Sequence, residues 1–181
     1  MISILAMSLL TALAPTSDVG PMRGETEEGE IETVIARAGE AHEHLMSGDI
    51  AAYRRTIETA PDFLLMDPFG GAPTGNPQSD EHWARIGRYF KDGRDARFEP
   101  IASYRSGDLI VLVANEVAHV GVGSLPAQDW SLRVTLVFRR DQGRWLLLHR
   151  HADPLMRGIS LEEAGQITLG RERGAASAAG R

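Results

Sequence analysis

Polar and apolar residues follow a helical period in the first part of the chain and an extended period in the last part. After residue 30, one amphipathic stripe recurs every three or four residues, which predicts a long first helix. Gly48 is placed to end that helix, and Asp49 is placed to cap a short second helix over residues 50–57. The stripe of the first helix comprises Ile31, Val34, Ile35, Ala38, His42 and Leu45.

The middle of the chain predicts a strand, a loop and a third helix. Residues 63–66 are apolar and of strand length, and residues 69–78 are rich in Gly and Pro, which is typical of a loop. Ser79 or Asp80 is then positioned to cap the third helix.

From residue 97 onward the period is two, which indicates strands with one buried face. Residues 141–143 (DQG) predict a hairpin turn between the last two strands. Because helices precede strands, we predict an α+β fold in which a curved antiparallel sheet wraps around the long first helix. Such an arrangement leaves a space where a small-molecule pocket forms. The predicted strands are residues 97–104, 109–120, 130–140 and 144–151.

Composition narrows the classes of partner and chemistry. The 181 residues carry a formal net charge of −6, whereas nucleic-acid and anionic-membrane binding both need a basic surface. We therefore expect no nucleic acid and no membrane as partner. The absence of cysteine excludes disulfides, thiolate metal sites and cysteine nucleophiles. The sequence has neither a phosphate-binding glycine loop nor a serine nucleophile elbow, and we expect no cofactor.

Both ends of the chain differ in composition from its centre. Residues 1–14 are almost wholly apolar but too few to cross a bilayer, and they end in the small-x-small pattern of a signal-peptide cleavage site. They lack the Lys or Arg that usually begins a signal peptide. Two interpretations therefore stay open: a periplasmic or secreted protein, or a cytoplasmic protein that starts at Met22. The expected divisions are a signal-like segment and linker at 1–29, one domain at 30–155, and a C-terminal extension with a disordered tail at 156–181.

Two segments resemble known families. The run from Met66 to Gly70 (MDPFG) and the Pro- and Gly-containing loop after it resemble the Asp-Pro-x-Gly segment of bacterial ketosteroid isomerases. Residues 133–154 resemble the end of SnoaL-like domains and of the association domain of calmodulin-dependent kinases, with a Gly-x-Trp turn and a His-x-His strand. These families belong to the nuclear-transport-factor-two-like superfamily. The resemblance implies a cone-shaped α+β fold with a central pocket, and a homodimer through the outer sheet face.

The resemblance also implies a catalytic base. Asp67 matches the aspartate that moves a proton next to a carbonyl in the ketosteroid isomerases. The two oxyanion-hole positions of that family fall near Ala41, beside His42, and at Thr135, and neither donor is reproduced. The implied activity is a cofactor-independent isomerase, lyase or cyclase that acts on an apolar carbonyl compound. The alternative for Asp67 is a turn carboxylate that accepts backbone hydrogen bonds.

Arg133 and Thr135 lie two residues apart on a predicted strand and therefore share one face. Thr135 corresponds to an inward position of the isomerases, so we expect Arg133 to point inward, where it needs an anionic partner. That partner is either Glu116 on the neighbouring strand or an anionic ligand. In an enzyme, Arg133 and His42 would stabilise a developing oxyanion. Otherwise His42 is a core residue bonded to a backbone carbonyl.

The segment from His149 to His151 poses a question of register. If the preceding turn matches the isomerases, Arg150 faces the pocket and both histidines face outward, and a one-residue bulge reverses this. Either His149 or Arg150 is then a ligand-binding residue. Histidines spaced by one residue also occur at metal sites, but no further ligand falls at a recognised spacing, so we expect no metal.

Three functions stay open from the sequence. The first is the acid–base enzyme, in which Trp83 and Phe90 of the third helix are core residues that also line the pocket. The second is a non-catalytic module that binds a small apolar or anionic ligand through Arg133. The third is a dimerisation domain built on the outer sheet face with Trp145 and the histidines.

Overall fold

The computed structural model describes residues 23–76 and 79–168. These residues form four helices and a six-stranded sheet. In chain order the elements are α1 (Arg23–Ser47), α2 (Ile50–Thr56), β1 (Thr59–Met66), β2 (Thr74–Gly75), α3 (Asp80–Tyr89), β3 (Phe90–Ser106), β4 (Leu109–Val122), β5 (Gln128–Asp141), β6 (Arg144–Pro154) and α4 (Leu161–Thr168).

Helix α1 forms where the amphipathic stripe predicts it and is closed by the predicted signals. Gly48 has a φ angle of 79°, the left-handed conformation that favours glycine after a helix. An Asp49 carboxylate oxygen accepts a hydrogen bond of 2.9 Å from the Ala52 amide and so caps α2. The most deeply buried side chains of α1 are Val34, Ala38, Ala41, His42 and Met46.

The sheet has the strand order β2-β1-β6-β5-β4-β3, and β1 pairs with β6 in parallel while the other neighbours are antiparallel. Register shifts within β3 and β6 add bulges, which bend and twist a sheet. The hairpin between β5 and β6 turns through Gln142 (φ 47°) and Gly143 (φ 79°), as the sequence predicts. The prediction of an α+β fold, with a curved sheet around a long first helix, is confirmed.

A one-residue bulge in β6 decides which of its side chains face α1. The register with β5 skips Leu148, between Leu147 and His149. Leu147 faces the core before the bulge, and Arg150 faces the interior after it, while His149 lies on the outer face. Arg150 thus faces the pocket, as the isomerase-like turn implies, but the expected effect of a bulge is wrong: the bulge turns Arg150 inward rather than outward.

The same bulge separates Trp145 from the histidines. Trp145 is only 7% exposed and packs in the core, so its predicted place on the outer sheet face is wrong. The guanidinium carbons of Arg105 and Arg140 each lie 5.4 Å from the centre of its indole ring. Glu30 forms ion pairs with both arginines. These cations stack on the ring and help to fix it inside.

Apolar side chains fill the space between α1 and the sheet. One cluster lies beneath the middle of α1 and includes Val34, Phe63, Ile110, Phe138 and Leu147. Two smaller clusters continue along the inner face, one formed by Met46, Ala118, Val120 and Val122, and the other by Ala114, Leu132, Val134 and Ala152.

Several boundaries differ from the sequence-based expectation. Residues 23–29, expected in the linker, form the first turns of α1, and β2 and α4 were not predicted. Helix α3 begins after Ser79, whose hydroxyl accepts a hydrogen bond of 3.2 Å from the His82 amide. The predictions for residues 1–14 and for the tail after residue 168 lie outside the described residues. Within the part that is described, no helix is long and apolar enough to span a membrane.

Candidate functional site

A small cavity lies between α1, α2 and the inner face of the sheet. Its volume is about 10 Å³, which is room for about one water molecule. Four polar side chains face it: His42, Tyr53, Glu116 and Arg150. The rest of the wall is apolar and consists of Ala38, Ala41, Leu45, Ile57, Leu136 and Leu147.

Glu116 and Arg150 form a buried, bidentate ion pair. The guanidinium Nη1 and Nη2 atoms donate to Oε1 at 2.6 Å and to Oε2 at 2.7 Å, and Glu116 is 3% exposed. Burial alone would raise the pKa of Glu116, but the charge of Arg150 and the proximity of His42 hold it well below its ordinary value. Burial alone would lower the pKa of Arg150, and the Glu116 carboxylate raises it instead. Both groups are therefore ionised, and their charges cancel.

His42 lies beside the carboxylate on the α1 side. Its Nε2 atom lies 3.0 Å from the carbonyl oxygen of Val117, and because a carbonyl only accepts, Nε2 carries the hydrogen. Its Nδ1 atom lies 3.4 Å from Glu116 Oε2 and has no hydrogen-bond partner among the described residues. The ring is 2% exposed and is thus fixed between a strand carbonyl and the ion pair.

Tyr53 is the site residue that the sequence reasoning missed. Burial raises the pKa of its phenol, while the charge of Arg150 opposes this rise and that of Glu116 adds to it. The phenol is therefore neutral and able to donate a hydrogen bond at physiological pH. The available signal was its spacing: Tyr53 and Ile57 are four residues apart, the spacing of one helix face, and both line the cavity.

Residues 34–156 match the family model of the SnoaL-like domain. The chain belongs to the SnoaL-like family. Its fold is that of a small-molecule pocket protein. Solved structures with this fold carry names as different as dehydratase and kinase association domain, so the fold alone does not define the function. No curated protein matches the sequence.

Solved structures share the SnoaL-like fold at low sequence identity. A proposed dehydratase of the NTF2-like family from Streptomyces avermitilis is 20% identical, with a TM-score of 0.59 over 72% of this chain and 99% of that chain. An NTF2-like superfamily protein from Salmonella enterica is 14% identical, with a TM-score of 0.56 over 75% and 98%. The association domain of C. elegans CaMKII is 13% identical, with a TM-score of 0.52 over 71% and 98%. Identities this low establish the fold alone.

The SnoaL-like domain places Arg133 and Thr135 away from the cavity. The even-numbered residues of β5 from 132 to 138 are buried, so the odd-numbered ones lie on the outer face. Arg133 is exposed and pairs there with Asp153. The predicted Arg133–Glu116 pair is wrong, because Glu116 lies opposite Leu132 on the inner face and Arg150 fills the interior position.

Asp67 lies in the turn that follows β1. Its Oδ1 atom accepts a hydrogen bond of 2.9 Å from the Phe69 amide, and its carbonyl accepts one of 3.4 Å from the Gly70 amide. It is not among the residues that line the cavity. This geometry is that of the turn carboxylate, and a catalytic role for Asp67 stays a prediction.

The remaining candidate residues lie around the site or on the other sheet face. Trp83 is half-buried and packs its ring against Tyr53, with ring centres 6.0 Å apart. Phe90 begins β3, packs against the Met46 cluster and does not line the cavity, so its predicted place on the third helix and in the pocket wall is wrong. His149 Nδ1 donates to the Leu64 carbonyl oxygen at 2.9 Å on the outer face. Among the described residues, no group of three or more His, Asp or Glu side chains is arranged to hold a metal ion.

Proposed function

We propose that this SnoaL-like domain binds a neutral, mainly apolar small molecule whose carbonyl-type oxygen points at Arg150 and Tyr53. The observation that carries the proposal is the buried Glu116–Arg150 pair, which sits in an otherwise apolar cavity beside a neutral phenol. The proposed role is binding rather than catalysis.

Charge balance favours a neutral ligand over an anion. Glu116 already neutralises Arg150, so a bound carboxylate would add one uncompensated charge to a buried site. Leaving one member of a buried ion pair without compensation costs about 3 to 5 kcal/mol. An anion would therefore need a further positive charge at the site to compensate it.

Arg150 and Tyr53 have hydrogen-bond donors left for one acceptor atom of a ligand. Arginine has five N–H donors, and the recorded contacts of Arg150 with Glu116 use Nη1 and Nη2 once each. The Tyr53 hydroxyl is a further donor at the same cavity. A buried polar ligand atom needs such partners, whereas its hydrocarbon part gains from the apolar wall.

The lowered pKa of Glu116 favours binding over proton transfer. A general base works best when its pKa lies near the operating pH, and the pKa of Glu116 lies well below that range. Asp67, the base implied by family resemblance, does not line the cavity.

Acetophenone and benzoate test the proposal as a matched pair, because they share the ring and differ in the charge of the oxygen-bearing group. We expect acetophenone to bind at least about tenfold more tightly than benzoate at pH 7, a difference of about 1.4 kcal/mol. Ligand-detected NMR titration measures both affinities, and the side-chain Nε–H signal of Arg150 reports contact with the ketone.

Two variants act as controls for this titration. The double variant E116M/R150M keeps the site uncharged and should lose at least about tenfold in acetophenone affinity. D67N should bind within about twofold of the wild type, because Asp67 lies in a turn outside the cavity. If benzoate bound more tightly than acetophenone, the site would be one for an anion and not for a neutral ligand. Failure of both compounds to bind would refute the proposal.

We also propose that the domain forms a homodimer through the outer face of the sheet. Two rows of paired residues cross five strands there, and no Asp, Glu, Lys or Arg interrupts them. Three of the four row ends are exposed, namely Tyr104 at 62%, Leu64 at 43% and Met66 at 39%. The rows are Tyr104, Val111, Val137, His149 and Leu64, and Ala102, Val113, Thr135, His151 and Met66.

Charged pairs border these rows, as a polar rim borders the apolar centre of an interface. Arg139 pairs with Asp62 on one side, and Arg133 pairs with Asp153 on the other. We expect V137K to sediment as a monomer at about 10 µM, where the wild type sediments as a dimer, since the lysine would lie in the apolar centre. A wild-type protein that stays monomeric at about 100 µM would contradict this proposal.

A further inference from the structure

A surface groove lies between α2 and α3, next to the interior cavity. It offers about 520 Å³ of space that opens widely to solvent, whereas the cavity alone holds about one water. The groove is bordered by Asp49, Ile50, Ala51, Arg54, Trp83 and Gly87.

One pair of aromatic rings connects a residue that lines the groove with a residue that lines the cavity. Tyr53 lines the cavity, Trp83 lines the groove, and their ring centres are 6.0 Å apart with planes inclined at 48°. The guanidinium carbon of Arg54 lies 5.2 Å from the centre of the Trp83 ring. The two rings thus contact each other from the two compartments.

The helices that carry this ring pair are weakly buried. Helix α3 has no buried residue, and in α2 only Ala52 is buried. The ion pair between Arg54 and Asp80, at 3.3 Å, is exposed and contributes little to holding the helices together. The Tyr53 and Trp83 rings can therefore separate at a lower free-energy cost than side chains in the packed core beneath α1.

We infer that the groove and the cavity are two compartments of a single site for an elongated neutral ligand. The carbonyl head lies at Arg150, and a flat apolar tail passes between Tyr53 and Trp83 into the groove. The inference rests on the proposed function, since it assigns the tail of the ligand whose head that function places. It also explains how a cavity with room for one water accepts an organic molecule: the ligand displaces the ring pair.

The test compares acetophenone with 4-acetylbiphenyl, which adds a flat second ring opposite the carbonyl. We expect 4-acetylbiphenyl to bind the wild type at least about tenfold more tightly. Ala51 is exposed and borders the groove, so A51F should fill the groove without disturbing the core. In A51F we expect 4-acetylbiphenyl to lose about tenfold in affinity and acetophenone to stay within about twofold.

The partition itself is tested by W83A. Removing the indole should raise the association rate constant of acetophenone about tenfold in stopped-flow measurements, because the ring pair no longer has to open. Unchanged rates in a folded W83A protein would overturn the role of the ring pair as partition.

The remaining outcomes distinguish failure of the groove inference from failure of the proposed function at the cavity. If acetophenone binds and E116M/R150M abolishes that binding, but the second ring adds no affinity, the groove inference fails and the proposed function stands. If 4-acetylbiphenyl binding survives in E116M/R150M and is lost in A51F, the groove is an independent site and the single-site inference is overturned. If neither compound binds, both the proposed function and the inference fail.

Discussion

Replacing Glu116 by Met is expected to lower the free energy of unfolding by about 3 to 5 kcal/mol. The substitution removes the carboxylate that accepts both hydrogen bonds from Arg150 and leaves a buried guanidinium without an anion. R150M should cost a similar amount for the opposite reason, because it leaves Glu116 buried at 3% exposure without its cation. Urea unfolding at pH 7, followed by tryptophan fluorescence, measures both.

The double variant E116M/R150M distinguishes the ion pair from simple loss of packing. Replacing both members of a buried pair by apolar side chains is often neutral or stabilising. We therefore expect the double variant to unfold within about 1 kcal/mol of the wild type, so that the two single costs are far from additive. Additive costs would mean that Glu116 and Arg150 stabilise the fold through separate contacts.

The same pair predicts how stability depends on pH. Glu116 has a lowered pKa in the folded protein and an ordinary one near 4.5 when unfolded. A carboxyl group with a lowered folded pKa contributes stability that is fully present above its unfolded pKa and is lost as the pH falls toward its folded pKa. Below about pH 4.5 the wild type should therefore lose stability faster than E116M/R150M. Parallel curves from pH 5 to pH 3 would contradict the assignment.

The framework of the fold could be predicted because its signals are local. The spacing of Val34, Ala38 and Ala41 follows one helix face, and these residues are buried. Gly48 and Asp49 end one helix and cap the next through contacts within a few residues of the chain. Periodicity and capping depend on neighbouring residues alone, so a single sequence carries them.

The sequence alone leaves the face of Arg150 open between two alternatives, because that face depends on a bulge. Alternation assigns a face only where polar and apolar residues alternate, and Leu146, Leu147 and Leu148 are all apolar. The bulge at Leu148 lies within this run, so the inward side changes from odd-numbered residues such as Trp145 to even-numbered residues such as Arg150. The apolar pattern does not reveal this change. Glu116 lies inside, but its partner is Arg150, because Arg133 lies on the other face.

The role of Asp67 illustrates a different limit. An Asp-Pro pair after a strand has the same local sequence whether its carboxylate faces a cavity or accepts a backbone hydrogen bond in a turn. The structure shows the Phe69 amide donating to that carboxylate. Only the path of the following loop distinguishes the two cases, and that path depends on distant residues.

The second large effect is expected from G93A, at the contact between β3 and the end of α1. A Cβ atom at position 93 would lie 2.2 Å from the carbonyl oxygen of Met46 and 2.5 Å from its carbonyl carbon. Both are backbone atoms of the last turns of α1, and Met46 is 1% exposed, so rotating a side chain cannot relieve the clash. Asp92 and Asp95 have φ angles of 54° and 55°, which shows that β3 bends sharply on both sides of this contact.

We therefore expect G93A to lower the free energy of unfolding by about 3 kcal/mol, at the upper end of overpacking costs, since the strand must move away from the helix. G29A is the matched control, because Gly29 lies in α1 with no atom within 4 Å of an added Cβ. It should raise stability by about 0.5 to 1 kcal/mol through helix propensity. The pair of variants separates close approach of backbone from the general effect of replacing glycine. A G93A protein within 1 kcal/mol of the wild type, judged by the same urea unfolding, would show that β3 does not depend on this contact for its position over α1.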